Sequence, residues 1–340
     1  MKILFSSHVF YPNIGGLETV SLLLAREFTH AGHQVKLVTQ TCKKEPEPDF
    51  PFDVLRRPLP SRLLRLTTWA DVVFHNNISL RTAWPLLLIK RPWVIAHHVW
   101  IPRNGGLWSW KGWLKHWAIR KATGIAISKA IASDFSTSCR VIPNPYDDKV
   151  FRILPDILRD KDLVFVGRLI TDKGVDLLLR SVAVLKVRGL MPSLTIVGGG
   201  PEEIRIKELA LDLGINRQVV FAGVKRDEEL AKILNGHRII VVPSLCLESF
   251  GMVALEGIAC GCAVVGSEGG GLKEAIGPCG YTFPNGNVRA LSACLEELLT
   301  HPKLVENFRY RVDAHLSSYR SQAVVSAYLQ VMEEVRRSSR

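Results

Sequence analysis

Short apolar runs alternate with helix-like stretches along the chain, and this alternation constrains the fold more than any other feature. Apolar residues recur at helical spacing over residues 17–31, and Gly32 follows as a residue that commonly ends helices. Strands that alternate with helices are typical of a parallel sheet with helices on both faces. In the first half, the predicted strands are Ile3–Ser6, Val35–Thr39, Asp71–Phe74, Trp93–Ala96 and Gly124–Ala126.

The second half repeats this alternation more regularly. Its predicted strands are Leu163–Val166, Leu194–Val197, Val219–Ala222, Ile239–Val242 and Ala263–Val265. Its predicted helices are Val175–Arg188, Glu202–Leu213, Glu228–Leu234, Gly251–Cys260 and Val288–Leu299. The sequence therefore predicts an α/β protein with two Rossmann-like, doubly wound domains that face each other across a cleft.

The domain boundary is expected near Val141-Ile142-Pro143-Asn144-Pro145, because its two prolines prevent regular structure. The first domain is predicted to cover residues 1–148, and a C-terminal helix at about 320–340 joins it. The second domain is predicted to cover residues 149–319. In such sheets ligands bind at the carboxyl ends of the strands, so the functional residues are expected there.

The positive charge is concentrated in the first half of the chain. The net charge is +12, and residues 1–150 contain twice as many Lys and Arg residues as Asp and Glu residues. This imbalance indicates an anionic partner, such as membrane lipid, nucleic acid or a phosphorylated substrate. The alternative is a basic face that only keeps the protein in solution.

The cysteines and the apolar runs indicate a protein of the cytoplasm. The seven cysteines are scattered, and no CxxC or Cys/His spacing predicts a zinc site. Free thiols in a reducing compartment are the simplest interpretation. The chain enters a predicted strand at once, unlike a signal peptide, and no apolar run reaches the roughly 18 residues that a membrane span needs.

The segment from Glu248 to Glu256 carries the sharpest functional signal. It follows a predicted strand, holds two carboxylates eight positions apart, and has Ser-Phe-Gly before a helix start. Free amides and the dipole at a helix start favour an anion, and carboxylates accept hydrogen bonds from hydroxyls. The segment is therefore suited to a polyhydroxyl ligand that carries a phosphate. The alternative is two exposed acids at the ends of a helix.

Cations and glycines follow other predicted strands at the same edge. Arg168 and Lys173 come after the strand that ends at Val166, and two cations there suit a diphosphate leaving group. Gly15-Gly16 follows the first strand, where glycines let a backbone approach a phosphate closely. The alternatives are solvated charges and a plain turn. A nicotinamide enzyme is disfavoured, because neither GxGxxG nor an acidic residue after the second strand is present.

The chain resembles the GT-B glycosyltransferases of family 4 over nearly its whole length. Two motifs carry much of this resemblance, the Gly15-Gly16-Leu17-Glu18 turn and the segment with Glu248 and Glu256. Gly257 stands where the family usually has alanine, and Cys262 stands where proline is common. The remaining matching motifs are Ala31-Gly32-His33-Gln34-Val35, Ala126-Ile127-Ser128-Lys129, Val141-Ile142-Pro143-Asn144, Gly167-Arg168-Leu169 with Lys173-Gly174, and Pro243-Ser244.

The resemblance implies transfer of a sugar from a UDP- or GDP-sugar to an acceptor hydroxyl, with retention of anomeric configuration and without a metal or other cofactor. It implies that Glu248 holds hydroxyls of the donor sugar and Glu256 holds the ribose. It further implies that Arg168 and Lys173 neutralise the diphosphate. The groups implied to touch sugar or phosphate are Gly15, Gly16 and the amides of Phe250, Gly251 and Met252.

One histidine is a further candidate. His98 follows a predicted strand at the spacing where family 4 enzymes often have a histidine near the transferred sugar. His97 fits that spacing less well, and we expect it to be a packed histidine. For His98 too, the alternative is a packed or surface side chain.

A basic, tryptophan-rich stretch lies between residues 100 and 121. Its pattern suits an amphipathic helix at an anionic membrane surface, and the resemblance to enzymes with lipid-linked acceptors favours that partner. The alternatives are tryptophans packed in the core and an RNA-binding surface. The residues expected to face the membrane are Trp108, Trp110, Trp113, Lys115, Trp117, Arg120 and Lys121.

Three other functions remain open at this level. A nucleotide-sugar epimerase shares the two-domain architecture, and a non-catalytic sugar-nucleotide-binding protein would keep the glycines. An RNA-binding protein would explain the basic tryptophan stretch but leave the glutamates unexplained. The preferred interpretation is a cytoplasmic transferase, peripheral at the inner face of the membrane. It acts on a lipid-linked or cell-surface glycan precursor and does not bind nucleic acid.

Overall fold

The computed structural model describes residues 1–13, 15–100, 110–135 and 139–338, without the side chains of 110–113 and 116. The chain forms two compact units, Met1–Pro145 with Ser318–Arg340, and Tyr146–Ser317. The expected boundaries were 148/149 and 319/320. Both boundaries therefore lie slightly earlier than expected, at 145/146 and 317/318.

The first unit is built on a seven-stranded, entirely parallel sheet in the order β3-β2-β1-β4-β5-β6-β7. All residues of its central strands β4 and β5 are buried, as expected when helices cover both faces. Its strands are β1 Lys2–Ser6, β2 Gln34–Thr39, β3 Asp53–Arg56, β4 Val72–Asn76, β5 Trp93–His97, β6 Thr123–Ala126 and β7 Arg140–Val141.

The helices of the first unit pack their apolar residues on this sheet. Val20, Leu24 and Phe28 of the first helix are fully buried, and Gly32 has the left-handed conformation that ends it. Leu63, Leu66 and Ala118 join Trp93 in one apolar cluster of the core. The helices are α1 Gly16–His30, α2 Pro60–Trp69, α3 Leu80–Ala83 with a 3₁₀ turn at Trp84–Leu87, α4 Trp110–Lys121 and α5 Lys129–Ala132.

The second unit has a six-stranded parallel sheet in the order β10-β9-β8-β11-β12-β13. Its strands are β8 Lys161–Val166, β9 Leu194–Val197, β10 Val219–Gly223, β11 His237–Val242, β12 Ala263–Ser267 and β13 Gly280–Phe283. Its helices are α6 Val175–Val187, α7 Glu203–Asp212, α8 Asp227–Asn235, α9 Met252–Ala259, α10 Leu272–Ile276, α11 Val288–Thr300, α12 Pro302–Arg309 and α13 Val312–Leu316. The strand order is that of the first unit without its seventh strand, so both units are doubly wound.

The chain returns to the first unit through its last helix, α14 Ser321–Ser338. Tyr328 of α14 is fully buried, with its ring centroid 6.5 Å from that of Phe28 and 5.7 Å from that of Phe74. This packing confirms the expected C-terminal helix. Among the described residues, no helix is both long and apolar enough to cross a lipid bilayer.

Candidate active site

Lys173 and Glu248 of the second unit form the central contact of the candidate site. Lys173 Nζ donates a hydrogen bond to Glu248 Oε1 at 2.5 Å, and the hydroxyl of Ser244 donates to the same oxygen at 2.5 Å. Both charged side chains are mostly buried, with 26% of Lys173 and 16% of Glu248 exposed. Glu248 Oε2 accepts no hydrogen bond from the described residues, so it is the oxygen available to a ligand hydroxyl.

The loop that carries Lys173 packs tightly on the end of β11. Lys173 closes a 3₁₀ turn, and Gly174 follows with φ of 68°. A Cβ atom at Gly174 would lie 2.0 Å from the carbonyl oxygen of Pro243, so only glycine fits this contact. The amide of Leu245 also donates to the carbonyl of Asp172 at 2.9 Å. These contacts hold Lys173 beside the loop that bears Glu248.

The backbone of Glu248 is fixed from its other side by a glycine run that the sequence analysis overlooked. Gly271 N–H donates to the Glu248 carbonyl at 2.7 Å, and Gly270 forms a parallel bridge with Glu248. A Cβ atom at Gly270, whose φ is 75°, would lie 2.1 Å from that carbonyl oxygen. Three consecutive glycines after β12 were the signal that could have identified this support.

Arg168 lies in the loop after β8 and is exposed. Its guanidinium makes no ion pair with any residue of the described chain. The loop itself is well supported, because the amide of Leu169 donates to the carbonyl of Gly199 at 3.0 Å. Arg168 therefore projects as an uncompensated cation from a fixed backbone at the edge where β8 ends.

A cluster of charged side chains supports the turn before Lys173. The amide of Thr171 donates to Glu202 Oε1 at 3.0 Å, and its hydroxyl bonds the same oxygen. Arg205 donates to Glu202 at 2.6 Å and forms a double hydrogen bond with Asp176 at 2.7 and 3.0 Å. This cluster ties α6 and α7 to the turn, and no sequence motif indicated it.

Helix α9 places its first amides at the same edge of the sheet. Gly251 is the residue before the helix, and Met252 begins it. Phe250 is buried, with 3% of the residue exposed. The first amides of a helix lack intrahelical acceptors and favour an anion.

Glu256 has an unusual environment on α9. Burial, followed by the charges of nearby Asp227 and Asp147, raises the pKa of its carboxyl group to about 7. The residue keeps some exposed surface, and its carboxyl group makes no hydrogen bond with the described residues. A largely buried carboxyl group without a hydrogen-bond partner in the protein is suited to bind ligand hydroxyls.

In the first unit, the Gly15-Gly16 turn leads directly into α1. Gly15 is partly buried with an extended backbone, and Gly16 is exposed at the first position of the helix. A Cβ atom at Gly15 would lie 2.6 Å from a carboxylate oxygen of Glu18. The turn therefore presents backbone rather than side chain at the carboxyl end of β1.

His98 lies just after β5 and is 5% exposed. Its Nε2 donates to Asn76 Oδ1 at 2.6 Å, and Asn76 Nδ2 donates to the hydroxyl of Ser21 at 2.7 Å. Because Asn76 donates to Ser21, its oxygen faces the ring, and this network assigns the proton to Nε2. Burial, followed by the neighbouring His97, lowers the pKa of His98 to about 3. The ring is neutral, and Nδ1 is left as an acceptor.

His97 is a packed residue, as the sequence analysis expected. It is fully buried against Phe135, with ring centroids 4.2 Å apart, and neither ring nitrogen has a partner in the described chain. Burial lowers its pKa to about 4.

The buried histidine of β4, His75, was not anticipated. His75 accepts from Trp93 Nε1 at 3.0 Å and bonds the hydroxyl of Thr82 at 3.2 Å. Its place at the polar end of apolar strand β4 was the available signal, as it was for Asn76.

The basic tryptophan stretch is only partly visible. Trp108 lies outside the described residues, and the side chains of Trp110 and Trp113 are not described. Trp117 is half-buried and packs against the apolar core cluster, which fits the alternative of a structural tryptophan. Lys115, Arg120 and Lys121 are exposed on α4. The structure thus supports a basic helix surface with at least one tryptophan turned to the core.

The site offers charged and hydroxyl-binding groups rather than metal ligands. Within the described ranges, no three His, Cys, Asp or Glu residues are grouped to hold a metal ion. The seven cysteines are free thiols. The residues brought together in the second unit suit an anion next to a hydroxyl-bearing group, while His98 offers a neutral acceptor in the first unit.

Two family profiles together match almost the entire chain. The profile "Glycosyl transferases group 1" matches residues 148–314, and "Glycosyltransferase Family 4" matches residues 14–150. The division between the two matches falls near the boundary between the two units.

Curated relatives support the same assignment. The MMP alpha-(1->4)-mannosyltransferase of Mycolicibacterium hassiacum is 31% identical over 89% of this chain and 90% of that protein. The D-inositol 3-phosphate glycosyltransferase of Rhodococcus erythropolis is 34% identical over 48% of this chain. That match spans only 41% of the relative's own length.

A solved structure shows the same fold. The crystal structure of Anabaena Alr3699/HepE in complex with UDP has a TM-score of 0.81 over 98% of this chain and 100% of that chain, with 18% identity. At this identity the likeness concerns the fold alone.

Proposed function

The chain is a glycosyltransferase of the family 4 type with the GT-B fold, and we propose that it transfers a sugar from a nucleotide diphosphate sugar to an acceptor hydroxyl. The donor is a UDP- or GDP-sugar. The observation that carries this proposal is the Lys173–Glu248 pair, because it places a cation and a hydroxyl-binding carboxylate in contact at one strand edge.

Each charged residue of the second unit has a role in donor binding. Lys173 and Arg168 neutralise the diphosphate, and the first amides of α9 add to its stabilisation. Glu248 accepts a hydroxyl of the donor sugar on Oε2, while Ser244 and Lys173 hold Oε1. Glu256 accepts the ribose hydroxyls, a role suited to its lack of a protein hydrogen-bond partner.

The proposed transfer proceeds with retention. The bond between the anomeric carbon and the terminal phosphate oxygen breaks, and the acceptor oxygen bonds that carbon on the same face. The leaving phosphate oxygen takes the acceptor's proton, so no base from the protein is required. Charge grows on the diphosphate during this step, and cations held beside it lower the barrier.

The first unit supplies the remaining contacts. The backbone at Gly15-Gly16 approaches sugar or phosphate, and neutral His98 accepts a hydrogen bond from the donor sugar through Nδ1. The neutral ring suits a polar contact to an uncharged sugar, whereas an imidazolium in this buried place would lack a counterion. No metal or other cofactor is required in this proposal.

A titration with candidate donors tests this function. Ligand binding to the folded state raises the unfolding temperature by mass action, so the true donor among UDP-, GDP- and ADP-sugars gives the largest shift. Nucleotide release that depends on an added acceptor then identifies a transferase. If no nucleotide sugar shifts the unfolding temperature, the proposed function is wrong.

We propose that the acceptor is a lipid-linked or cell-surface glycan precursor, which the enzyme binds at the inner face of the membrane. The basic balance of residues 1–150 and the exposed cations of α4 support this location. Flotation with anionic liposomes at low salt tests it. Protein that stays in the soluble fraction at low salt would contradict the membrane contact.

A further inference from the structure

A largely apolar cavity lies within the first unit, at the carboxyl edge of its sheet. Its volume is about 800 Å³, which is enough for a ligand of moderate size. It is bounded by Leu17 at the start of α1, Ile78 after β4, and Trp117 and Ala118 of α4. The donor contacts proposed above do not use this cavity.

Two cations lie at the rim of the cavity, and no acid opposes them. Arg81 and Lys115 line the cavity, are exposed, and make no ion pair with the described residues. The described lining includes no Asp or Glu. His8 also lines the cavity, with its ring bonded to the hydroxyl of Ser79 at 3.1 Å. Burial, then Arg81 and then Lys115, lowers the pKa of His8, so each cation lies near enough to the His8 ring to affect its ionisation.

The apolar lining continues to the protein surface. Leu87 lines the cavity and is 52% exposed, and its neighbour Leu88 is 72% exposed. An elongated apolar group could therefore leave the cavity past Leu87 without burying a polar end. Such exposed leucines beside an apolar cavity are typical of a ligand-binding or membrane-facing surface.

We infer that the acceptor is an amphipathic phosphate: its apolar chain occupies the cavity between α1 and α4, and its phosphate or diphosphate group binds Arg81 and Lys115. This inference rests on the proposed transfer function, which it deepens by naming the acceptor's chemistry. A free oligosaccharide would leave the apolar walls without partners, and it would not use two cations.

Calorimetric titration of the full chain tests the inference with three probes. The probes are dodecyl phosphate below its micelle concentration, inorganic phosphate, and dodecyltrimethylammonium. The first combines chain and anion, the second lacks the chain, and the third reverses the charge. We expect dodecyl phosphate to bind at least about tenfold more tightly than either other probe, since it alone uses both parts of the site.

Two matched pairs of variants locate the binding. Arg81→Gln with Lys115→Gln should weaken dodecyl phosphate binding by roughly 10–100-fold, because two charge-assisted contacts are lost. Arg120→Gln with Lys121→Gln removes the same charge from the exposed face of α4 and should change binding less than twofold. Likewise, Leu87→Asp should weaken binding about tenfold, whereas Leu88→Asp, outside the cavity lining, should not.

Each outcome decides between the alternatives. Equal binding by the Arg81/Lys115 variant and the Arg120/Lys121 variant would overturn the inference, as would dodecyl phosphate binding no better than inorganic phosphate. Loss only in the Arg120/Lys121 variant would point to the membrane-facing helix surface and also overturn it. Donor binding is measured on the same samples. If the protein binds the donor but not dodecyl phosphate, only this acceptor site is rejected. If it binds dodecyl phosphate but no nucleotide sugar, the proposed transfer function is rejected.

Discussion

The two units have the same strand order but present different chemistry at their carboxyl edges. The second unit places charged groups in direct contact, as in the Lys173–Glu248 pair. The first unit places neutral, buried rings and an apolar cavity there, as shown by His98 and the space bounded by Trp117. A shared fold therefore fixes where a ligand binds, while the side chains at the strand ends fix what is bound.

This difference follows from how each set of side chains is held. In the second unit, glycines such as Gly174 and Gly270 let one loop backbone pack directly against another, and these packed loops carry the charged side chains. In the first unit, hydrogen-bond chains through Asn76 and Ser21 hold a ring in the interior. We expect substitutions in the second unit to act mainly on turnover, and those in the first to act on orientation and protonation.

The largest effect is expected at the charged pair. Lys173→Met should lower kcat by about 10²–10³-fold, because a cation beside the growing diphosphate charge is lost. Glu248→Gln should lower kcat/KM strongly as well, and the double variant should be no worse than about the poorer single one, since the two residues act together. Steady-state kinetics of the single and double variants, with the donor identified by titration, measures these changes in kcat and kcat/KM.

Lys207→Met is the matched control for that prediction. Lys207 pairs with Glu203 at 2.6 Å on the surface of α7, so it has the same type of ion pair away from the strand edge. Its removal should leave kcat within about twofold. If Lys173→Met leaves turnover unchanged, the proposed difference between the two units is wrong. If Arg168→Ala leaves turnover unchanged, the proposed role of Arg168 in neutralising the diphosphate is wrong.

A smaller effect is expected at Asn76, which acts through His98. Asn76→Leu removes the acceptor of the Nε2 proton and should lower kcat about tenfold at every pH, because the ring loses its fixed orientation. Asn76→Asp should instead pair His98 with a carboxylate and raise its pKa from about 3 toward neutrality. Activity at saturating donor should then fall as the pH drops, whereas the unaltered enzyme shows no ionisation of His98 in that range.

Thr82→Val is the control for this pair of variants. It removes a buried hydrogen-bond partner of His75 rather than of His98. We expect lower stability without a new pH dependence of kcat. If Asn76→Asp keeps the original pH profile, His98 does not act as a neutral ring held by Asn76.

The smallest effect is expected in the stability of the second unit. The folded pKa of Glu256 is about 7, against an ordinary value of 4.5, so folding favours its protonated form. Ionisation of Glu256 therefore lowers the free energy of unfolding. This loss is negligible below about pH 4.5, increases between about pH 4.5 and pH 7, and is constant at higher pH. Glu256→Gln should therefore raise the unfolding temperature by roughly 2–4 °C at pH 8 and by much less at pH 5.

Thermal unfolding without nucleotide, at both pH values, measures this difference. Glu203→Gln, at a half-buried surface position of α7, provides the control and should show no comparable gain at pH 8. A gain for Glu256→Gln that is larger at pH 5 than at pH 8 would contradict the raised pKa.

The sequence predicted the parts of the fold whose signal is local. Apolar strands such as Ile239–Val242 and the helical spacing of residues 17–31 correspond to elements of the structure. Strands β3, β7 and β13 were not predicted: β3 has charged residues at both ends, β7 has two residues just before the prolines, and β13 begins with glycine. The short helices α3, α5 and α10 were missed because four or five residues show no period.

For the candidate site, the predicted strand ends indicated that Lys173 and Glu248 lie at the same edge of the sheet, but they did not indicate that the two side chains are in contact. Their contact depends on Gly174 and Gly270 packing against carbonyl groups far along the chain, which spacing does not reveal. The Asn76–His98 bond likewise joins two strands that become neighbours only in the sheet. The cavity beside Trp117 depends on how three helices pack, and no pattern in the sequence predicted it.

The Lys173–Glu248 bond also bears on ligand discrimination. A molecule that supplies only a phosphate takes the lysine away from Glu248 and leaves that carboxylate with one hydrogen-bond donor fewer. A molecule that supplies only hydroxyls binds Glu248 Oε2 and leaves that bond in place, because Lys173 and Ser244 hold Oε1. In the proposed function, a ligand that bears both groups offsets the lost lysine bond with a new hydroxyl contact on Oε2. We therefore expect the pair to disfavour inorganic phosphate relative to the intact substrate.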